Sequence, residues 1–554
     1  MRKEITIGAV GAGGDGVIVL GNILQELAGN QGYFGITSRA YGAQIRGGGS
    51  SIKTKIDSEH LSLAEDFLDV LICFNWQKYF EFERELRIGE KTIIFCEADP
   101  PSSVQSGKFF RVSFGNGQNK NIVALGFLKN MIGLSDPDPR NPSQRILKNN
   151  LPSFMAGEKL FQEGNFSKLE LERPRNPVPK ITIQGNEAVS RAIIDSGCRF
   201  GTGYPITPST EIMEFLRKKL PQLGGQFIQG ASENEAIYIL YGASLAGKKV
   251  VVPTSLPGLS RMMEAIGLFS ATEVPLVIID VQRCGPSTGI PTKTEQADLQ
   301  TVIYGSGDAS RVVLAPFDFE SCYQITAQAF NIAEQFQLPV IVLSDQWLGQ
   351  TVASCNDFTL IKPEIISRLK PGENEKNNYL RYRLSENNIS PMASFGDEGF
   401  VYQTTGLTHD ERGRPASSQY LQQKMHEKIW KKLEPLKQRD DLVKVFGNPE
   451  AEIGIITWGS SGMFVRDTVR KMGMEEYIKV CVPELIFPLP EKSIARFLKG
   501  VKKSLVVEMN YTGQFYHFLR SRLNLPRKTK LYCRAGGSPF TNEELSQAIE
   551  EAIR

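Results

Sequence analysis

A short apolar segment that runs into a turn and then into a helix recurs along this chain, and that order constrains its fold more than any other feature. Residues 4–10 predict a buried strand, residues 11–16 contain four glycines, and residues 17–29 carry apolar side chains at helical spacing. Further strands are predicted at 69–74 and 92–96. Strands that alternate with helices form parallel sheets covered on both faces. We therefore predict an α/β protein built from doubly wound parallel sheets.

The same order returns in a second and a third unit, and we expect the second to begin at Ile181. A proline-spaced polar segment at 164–179 predicts the linker before it, and a Lys/Glu/Asn-rich stretch with a loop at 390–415 and one helix near 416–437 separates the second unit from the third. The predicted domains are 1–178, 179–355, 356–450 and 451–554. In the later units we predict strands at 226–229, 249–253, 275–281, 312–315, 339–343, 453–457 and 504–508, and helices at 232–246, 260–272, 461–471 and 513–522.

Length and composition exclude several classes of protein. A chain of 554 residues exceeds one domain of roughly 100–200 residues. With 41% hydrophobic and 23% charged residues it is neither disordered nor collagenous nor a coiled coil. Its 64 basic and 61 acidic side chains, net charge +3, supply no electrostatic footprint for nucleic acid or an anionic membrane. No apolar run approaches about 18 residues, so we expect no membrane span.

The eight cysteines lie far apart, and no two of them form a Cys-x-x-Cys motif. With only four histidines, equally scattered, the chain offers no zinc or iron–sulfur ligand pattern. We therefore predict no metal site in this chain. Scattered thiols in a large chain indicate a reducing compartment, so we expect a cytoplasmic protein.

The glycine cluster Gly11-Ala12-Gly13-Gly14-Asp15-Gly16 follows a predicted strand and precedes a helix. Such a turn lets backbone amides and a helix N-terminus face a phosphate, while close packing without a ligand is the alternative. A nicotinamide site also needs an acidic residue about 20 positions further on, and residues 31–37 contain none. Asp15 also starts a thiamine-type metal motif, but residues 41–46 lack the Asn that would complete it.

A second cluster, Arg46-Gly47-Gly48-Gly49-Ser50-Ser51, follows Arg39. Glycines beside an arginine expose backbone donors next to a fixed cation, which suits an anionic group. The alternative is a solvated hairpin with a surface arginine.

Four predicted strand ends between residues 200 and 296 carry polar or glycine-rich turns, and ligands of open α/β sheets bind at the carboxyl ends of strands. In one of them Glu233 and Glu235 lie two apart in a helix first turn, so they point to different faces, although an acid there is often structural. In another, Arg283 follows an apolar strand and precedes hydroxyls and glycines, a pattern that suits a carboxylate or a phosphate.

Several long motifs resemble the alpha subunit of the 2-oxoacid:ferredoxin oxidoreductases, and residues 4–60 look like the gamma subunit of the same enzymes, fused in front. The alpha-like motifs are Gly-Asn-Glu-Ala (185–188), Gly-Tyr-Pro-Ile-Thr-Pro-Ser (203–209), Ser-Glu-Asn-Glu (232–235), Gln-Arg-Cys-Gly-Pro-Ser-Thr-Gly-Ile-Pro-Thr (282–292), Leu-Ser-Glu-Asn-Asn-Ile-Ser-Pro (384–391), Thr-His-Asp-Glu-Arg-Gly (408–413) and Glu-Met-Asn-Tyr-Thr-Gly-Gln (508–514). The resemblance implies a gamma-like Rossmann-type domain, a thiamine pyrimidine-binding domain and a transketolase C-terminal-like domain.

The resemblance also implies an activity. In this family a 2-oxoacid is decarboxylated on thiamine diphosphate, electrons leave through a [4Fe–4S] cluster to ferredoxin, and the acyl group passes to coenzyme A. The alpha subunit holds the pyrimidine end of the thiamine, and a beta subunit holds the diphosphate, Mg²⁺ and the cluster. We expect 2-oxoglutarate as substrate, with pyruvate or branched 2-oxoacids as alternatives, an (alpha–beta)2 heterotetramer, and no activity for this chain alone.

The family's functional residues carry over onto this sequence one by one. Glu233 is similar to the glutamate that hydrogen-bonds the pyrimidine ring, although Asn234 stands where Asp is common. Thr207 and Arg283 resemble the pair that grips the substrate carboxylate, so the resemblance implies catalytic roles for all three. Further implied sites are substrate contacts at Thr292 and Asp410, cofactor contacts at Tyr204, Pro205, Ile206 and Ser255, and coenzyme A contacts at Gly13, Gly14, Arg39, Arg46 and Gly47.

Two other hypotheses remain open at this point. The first is a nicotinamide dehydrogenase built on the glycine turn at 11–16, against which the missing ribose acid argues. The second is a non-catalytic assembly or regulatory protein that kept the fold, against which the joint presence of Glu233, Thr207 and Arg283 argues.

Overall fold

The computed structural model describes residues 2–42, 48–115, 119–136 and 144–554, with the backbone only for residues 144–146. The chain forms two compact units. The amino-terminal unit comprises residues 1–184, 350–358 and 541–543, and the large unit comprises the rest. Over the residues described, none of the helices combines the length and the apolar character needed to cross a bilayer.

The strands are β1 Glu4–Ala12, β2 Phe34–Tyr41, β3 Gly49–Asp57, β4 Val70–Cys73, β5 Ile93–Cys96, β6 Lys108–Arg111, β7 Ile181–Gln184, β8 Phe200–Gly203, β9 Gln226–Gln229, β10 Val250–Thr254, β11 Leu276–Gln282, β12 Val312–Leu314, β13 Pro339–Asp345, β14 Val352–Cys355, β15 Val443–Phe446, β16 Ile453–Thr457, β17 Ile478–Pro483, β18 Leu485–Phe487, β19 Lys503–Glu508 and β20 Lys528–Cys533.

The helices are α1 Val17–Asn30, α2 Trp76–Tyr79, α3 Lys120–Ile132, α4 Gln144–Asn149, α5 Leu151–Glu163, α6 Gly185–Asp195, α7 Thr210–Lys219, α8 Glu233–Leu245, α9 Leu256–Arg261, α10 Met263–Ala271, α11 Leu299–Tyr304, α12 Phe319–Phe336, α13 Gln346–Gln350, α14 Gln419–Lys431, α15 Ser461–Lys471, α16 Glu491–Leu498, α17 Gln514–Arg522 and α18 Asn542–Ile553.

The amino-terminal unit contains a mixed sheet in the order β6-β5-β4-β1-β3-β2-β14-β7. The strands β6, β5, β4 and β1 are parallel, as predicted, but every pairing from β1 through β3 to β7 is antiparallel. This half therefore departs from the parallel sheet that the alternation of strands and helices predicted. The reason is the short connection between β2 and β3, because a few residues can join antiparallel neighbours but not parallel ones. These two strands pair with each other, but Arg46 and Gly47 of the second glycine cluster lie outside the described residues, so both readings of that cluster stay predictions.

The strand β7 differs from the sequence expectation in its location. We expected Ile181 to open the second unit, but β7 pairs with β14 at the edge of the amino-terminal sheet, with Ile181 opposite Cys355. The pairing partner lies far away in the sequence, so no local pattern indicates it. As a result, β7 and β14 are neighbours in the amino-terminal sheet although residues 185–349, which belong to the large unit, lie between them in the sequence.

The large unit contains a seven-stranded sheet in the order β18-β12-β13-β11-β10-β8-β9. All of its pairings are parallel except that of β18 with β12. The carboxyl ends of β8, β9, β10 and β11 therefore meet at one edge of the sheet, which we call the ligand edge. The turns that carry Thr207, Glu233, Ser255 and Arg283 leave the sheet at this edge.

The large unit also contains a five-stranded sheet in the order β15-β17-β16-β19-β20, which is parallel except for β15. The strand and helix predicted at 453–457 and 461–471 occupy those residues. The α/β class with three sheets is confirmed. Parallel pairings dominate the second and third sheets, whereas four of the seven pairings in the first sheet are antiparallel.

The segment 359–450 is mainly irregular, and α14 is the helix expected within it. A buried ion cluster anchors this helix. Lys428 and Lys432 both contact the carboxylate of Glu273, the latter at 3.1 Å, and Arg381 donates to the backbone carbonyl of Glu273. All four side chains are buried, so the cluster ties α14 to the end of α10.

Candidate active site

Glu233 places a buried carboxylate at the ligand edge. The helix α8 begins at this residue because Ser232 caps it, with its hydroxyl accepting from the amide of Glu235 at 3.2 Å. Glu233 is only 4% exposed, whereas Glu235 of the same turn is exposed. This difference confirms that the two acids point to different surroundings. One oxygen of Glu233 accepts from Nη1 of Arg261 at 3.1 Å, and the side chain of Arg261 is mostly in solvent.

The first turn of α9 packs tightly against Glu233. A Cβ at Gly258 would lie 2.9 Å from Cγ of Glu233, closer than real carbon atoms approach, so glycine is required there. The residue that caps α9 is Ser255, which is completely buried. Its hydroxyl has no hydrogen-bond partner among the described residues. A buried donor without a partner is costly, which makes Ser255 a candidate for contact with a ligand.

Arg283 and Thr207 are brought together at the same edge. Nη1 of Arg283 donates to the backbone carbonyl of Thr207 at 2.7 Å, and the side chain of Thr207 is exposed. Arg283 is 5% exposed, and its Nε has no partner among the described residues. Burial lowers the pKa of the Arg283 guanidinium, and the charge of Asp298 opposes that shift. Arg283 therefore keeps donors available for an anion.

The turn before Thr207 carries three predicted cofactor contacts. The carbonyl of Ile206 accepts from both the amide and the hydroxyl of Ser209, at 3.0 and 2.9 Å, which holds the turn closed. Pro205 is exposed and Tyr204 is 39% exposed. These side chains line the surface of the ligand edge rather than its interior.

The other two predicted substrate contacts lie elsewhere. Thr292 is exposed on the loop that follows Arg283. The carboxylate of Asp410 accepts from the amides of Arg412 and Arg414, both at 2.9 Å, within its own loop. The neighbouring His409 contacts the carbonyl of Ala271 at the end of α10, and that end faces the edge of the sheet opposite Glu233. The structure thus does not bring Asp410 together with Glu233.

The loop after Arg283 is held by a residue that sequence reasoning missed. The carboxylate of Glu295 accepts from the amide of Gly285 at 2.9 Å and from the amide of Gly536 at 3.0 Å. Glu295 is buried and joins the strand end of the seven-stranded sheet to the loop after the five-stranded sheet. Glu295 therefore holds the start of the loop that follows Arg283 in a fixed position.

A second group that sequence reasoning missed is a pair of completely buried acids, Asp280 on β11 and Asp298 before α11. Burial raises the pKa of Asp298 to about 7, and burial together with Asp298 raises the pKa of Asp280 well above its usual value. A signal was present for one of them, because Asp280 interrupts an apolar strand and charged residues are rarely buried without a reason.

In the amino-terminal unit, the polar groups of the glycine turn at 11–16 largely find their partners within the same unit. The amide of Gly13 donates to the carbonyl of Gly48 at 2.8 Å, and the carboxylate of Asp15 accepts from the amide of Ala12 and pairs with Lys120 at 3.1 Å. Gly14 has φ +102° and open space where a Cβ would stand. Its backbone can therefore be approached closely.

Arg39 lies on β2 and donates from Nη2 to the side chain of Asn22 at 2.8 Å. Its Nε is buried without a partner among the described residues. The two remaining predicted coenzyme A contacts, Arg46 and Gly47, lie outside the described residues.

Comparison with known families gives the class of this chain as an oxidoreductase with a thiamine-diphosphate-binding domain. The family model for the thiamine-diphosphate-binding domain of pyruvate flavodoxin/ferredoxin oxidoreductases matches residues 191–428. The pyruvate ferredoxin/flavodoxin oxidoreductase model matches residues 6–156, and core domain II of pyruvate:ferredoxin oxidoreductase matches residues 451–545.

The relatives agree with these matches. The 2-oxoglutarate synthase subunit KorA of Methanothermobacter marburgensis is 38% identical over 379 residues, which cover 66% of this chain and 97% of that subunit. The alpha subunit of a Sulfolobus 2-oxoacid:ferredoxin oxidoreductase is 26% identical and covers 100% of this chain and 97% of its own length.

A solved structure matches over the full length. It is the 2-oxoglutarate:ferredoxin oxidoreductase from Magnetococcus marinus with 2-oxoglutarate, coenzyme A and succinyl-CoA bound. It aligns with a TM-score of 0.91 and 32% identity and covers 100% of both chains. This chain belongs to the 2-oxoacid:ferredoxin oxidoreductase family.

Proposed function

We propose that this chain is the fused gamma–alpha subunit of a 2-oxoglutarate:ferredoxin oxidoreductase. With a beta subunit and thiamine diphosphate it converts 2-oxoglutarate and coenzyme A to succinyl-CoA and CO2 and passes the electrons to ferredoxin. One observation carries the proposal: the ligand edge presents a buried carboxylate, Glu233, after β9 and a buried guanidinium, Arg283, after β11 of the same sheet. An acid for a cofactor ring and a cation for a substrate carboxylate are the two groups this reaction needs from the chain.

The residues at the ligand edge fit the pyrimidine half of thiamine diphosphate. Glu233 is buried beside the tight turn at Gly258, and the buried hydroxyl of Ser255 lacks a partner. When bound, thiamine diphosphate supplies the carbon nucleophile that attacks the 2-oxo group and takes up the electrons left by decarboxylation. We assign to Glu233 a hydrogen bond with a pyrimidine ring nitrogen, where its carboxylate holds and returns a proton. Tyr204, Pro205 and Ile206 line the surface beside it.

We assign to Arg283 and Thr207 the substrate carboxylate that leaves as CO2. Arg283 offers a fork of N–H donors and stays protonated, so it holds the anion without acting as an acid. The carbonyl of Thr207 orients the guanidinium and leaves the hydroxyl of Thr207 free for a second contact. Thr292 and Asp410 stay weaker candidates, because neither contacts this pair.

The choice of 2-oxoglutarate is supported by the relatives. The KorA subunits are 2-oxoglutarate synthase subunits, and the Magnetococcus marinus structure holds 2-oxoglutarate and succinyl-CoA. A second carboxylate needs a further cation, and we assign that cation to the beta subunit. Pyruvate or a branched 2-oxoacid is the competing substrate, because relatives named only as 2-oxoacid oxidoreductases cover the whole chain.

We further propose that the amino-terminal unit binds coenzyme A through Gly13, Gly14 and Arg39, together with Arg46 and Gly47. The open backbone at Gly14 and the unpartnered Nε of Arg39 support this assignment. The beta subunit then supplies the diphosphate site, Mg²⁺ and the [4Fe–4S] cluster, and two copies of each subunit form the enzyme.

The experiment that tests the proposed function is co-purification with the natural beta subunit followed by an assay with viologen dye. We expect dye reduction that needs both coenzyme A and the beta subunit and that is fastest with 2-oxoglutarate among 2-oxoglutarate, pyruvate and two branched 2-oxoacids. A fastest rate with pyruvate contradicts the substrate assignment. Turnover by this chain alone contradicts the proposed division of labour.

A further inference from the structure

Two neighbouring backbone carbonyls of one turn at the ligand edge accept hydrogen bonds from side chains of other elements. The carbonyl of Thr207 accepts from Nη1 of Arg283 at 2.7 Å, and the carbonyl of Pro208 accepts from Nδ2 of Asn186 at 3.1 Å. Arg283 follows β11, whereas Asn186 lies in the first turn of α6. The turn is therefore held from two sides, and the proposed reaction uses only the side of Arg283.

The side-chain amide of Asn186 has little freedom to rotate. Its Nδ2 also donates to Oε2 of Glu211, in the first turn of α7, at 2.8 Å. Both N–H bonds of the amide therefore have an acceptor. Asn186 is 1% exposed, so water does not replace these partners. A rotated amide would place its oxygen against the oxygens of Pro208 and Glu211, and the two acceptors thus fix its orientation.

The oxygen of the same amide lowers the stability of the fold. Oδ1 of Asn186 is buried and has no hydrogen-bond partner among the described residues. A buried carbonyl oxygen without a donor is unfavourable, and an alanine at this position would remove it. The bond from Asn186 to the turn therefore explains this side chain better than a contribution to general stability does.

The helix α13 packs closely against this amide. A Cβ at Gly349 would lie 2.6 Å from Oδ1 of Asn186, and the three atoms nearest to it would all belong to the Asn186 side chain. The end of a side chain moves more easily than a backbone does. An alanine at 349 would therefore displace the amide of Asn186 without deleting any group of the turn.

We propose that Asn186 is a positioning residue for the substrate carboxylate. Through the carbonyl of Pro208 it holds the turn whose preceding carbonyl, that of Thr207, orients Arg283. The inference rests on the proposed function, because it gives Asn186 a part in the binding of the carboxylate that we assign to Arg283 and Thr207. A turn that shifts moves the acceptor of Arg283, and a displacement of about 1 Å in such a site costs up to about 100-fold in rate.

The kinetic test measures the KM for 2-oxoglutarate and the KM for coenzyme A in the complete enzyme. Asn186→Ala should raise the KM for 2-oxoglutarate about tenfold and leave the KM for coenzyme A unchanged, because only the binding of the carboxylate is disturbed. A folding defect lowers the amount of active enzyme, and hence kcat, without raising one KM alone.

The matched control is Asn331→Ala. Asn331 is 5% exposed, and its amide donates to the backbone carbonyl of Glu364 at 2.9 Å, so the variant also deletes a buried amide bound to a carbonyl. Asn331 lies near the end of α12 that leads into β13, at the edge of the sheet opposite the ligand edge. Both KM values should stay at their wild-type level in Asn331→Ala.

A second variant, Gly349→Ala, tests the same role while the amide is still present. Alanine suits the helix α13, so the variant should fold even if Asn186→Ala does not. We expect the KM for 2-oxoglutarate to rise at least about threefold, because the displaced amide no longer holds the carbonyl of Pro208. In an Asn186→Ala chain the same substitution should add nothing, because the atoms that it displaces are gone.

The route through Arg283 is tested by combining Asn186→Ala with Arg283→Ala. The loss of kcat/KM in the double variant should stay close to the loss in Arg283→Ala alone, because the contact that Asn186 supports is already absent. Independent effects of the two residues would instead multiply.

Multiplied losses overturn the inference and leave the proposed function standing. The same holds for an unchanged KM for 2-oxoglutarate in a folded Asn186→Ala chain or in Gly349→Ala, and for an equal rise in Asn331→Ala. A wild-type enzyme without any 2-oxoacid turnover overturns the proposed function, and the inference with it.

Discussion

Nη1 of Arg283 donates to the backbone carbonyl of Thr207 at 2.7 Å, across the ends of two strands that are separated by β10. Because the acceptor is a backbone carbonyl, any residue at 207 supplies it, whereas the guanidinium of Arg283 combines this bond with a further N–H donor for an anion. The contact therefore orients the guanidinium and leaves its Nε donor without a partner among the described residues.

Replacement of Arg283 should remove the grip on the substrate carboxylate. We expect Arg283→Ala to lower kcat/KM about 100-fold, because hydrogen bonds to a charged group contribute a few kcal/mol. Arg283→Lys should recover only part of the loss, since an ammonium lacks the fork. The measurement is steady-state kinetics of the complete enzyme with 2-oxoglutarate. If kcat/KM is unchanged in Arg283→Ala, the arginine has a structural role and does not bind the substrate carboxylate.

The two serines that cap α8 and α9 should respond differently to replacement by alanine. Ser232→Ala removes a bonded cap and should cost about 1 kcal/mol, seen as a lower denaturant midpoint. Ser255→Ala removes a buried hydroxyl without a partner and should leave the midpoint unchanged or raise it. It should nevertheless weaken retention of thiamine diphosphate during gel filtration of the complete enzyme. Equal destabilisation by both variants contradicts the assignment of Ser255 to a ligand.

The buried ion cluster that anchors α14 should contribute strongly to the free energy of unfolding. Glu273→Gln leaves Lys428 and Lys432 buried without their counter-charge, which should cost about 3 to 5 kcal/mol in urea unfolding. The control is Glu427→Gln on the surface of the same helix, where loss of the pairs with Lys424 and Lys431 should leave the urea midpoint unchanged. Similar midpoints for the two variants refute the anchoring role.

The same cluster should make α14 sensitive to acid. Burial by itself raises the pKa of Glu273, but Lys428, Lys432 and Arg381 outweigh it and hold that pKa far below its ordinary value of 4.5. The carboxylate therefore stabilises the fold fully above about pH 4.5, and this contribution is lost as the pH falls further. Hydrogen exchange of the α14 amides, corrected for intrinsic rates, should accelerate below pH 4.5 in wild type. Glu273→Gln should lack this acid step.

The parallel parts of the fold could be predicted from the sequence, and the antiparallel part could not. Apolar runs that end in turns located β9, β16 and α15 at their observed residues. The strand β3, Gly49–Asp57, has large apolar side chains only at Ile52 and Ile56, contains the fully buried Lys55 and gave no apolar run. The strand β14 pairs with β2 and β7 across a long insertion, and local patterns carry no information on such partners.

The site could be predicted where a motif carried it. The positions of Glu233, Thr207 and Arg283 at one edge follow from parallel strands and the resemblance. The burial of both Asp280 and Asp298 depends on the path of the chain between them, and the bond from Glu295 to Gly536 joins residues far apart in sequence. Such contacts arise only once the sheets are assembled.

The central claim is that Glu233 serves the pyrimidine of thiamine diphosphate, and the most direct measurement compares Glu233→Gln with Glu235→Gln in the complete enzyme. Both acids lie in the first turn of α8, but Glu233 is buried and Glu235 is exposed and accepts from the amide of Ala231. We predict a loss of coenzyme A-dependent turnover of at least about 100-fold for Glu233→Gln, because an amide cannot hold and return the proton. Glu235→Gln should keep near wild-type turnover. Full turnover by Glu233→Gln would contradict the account.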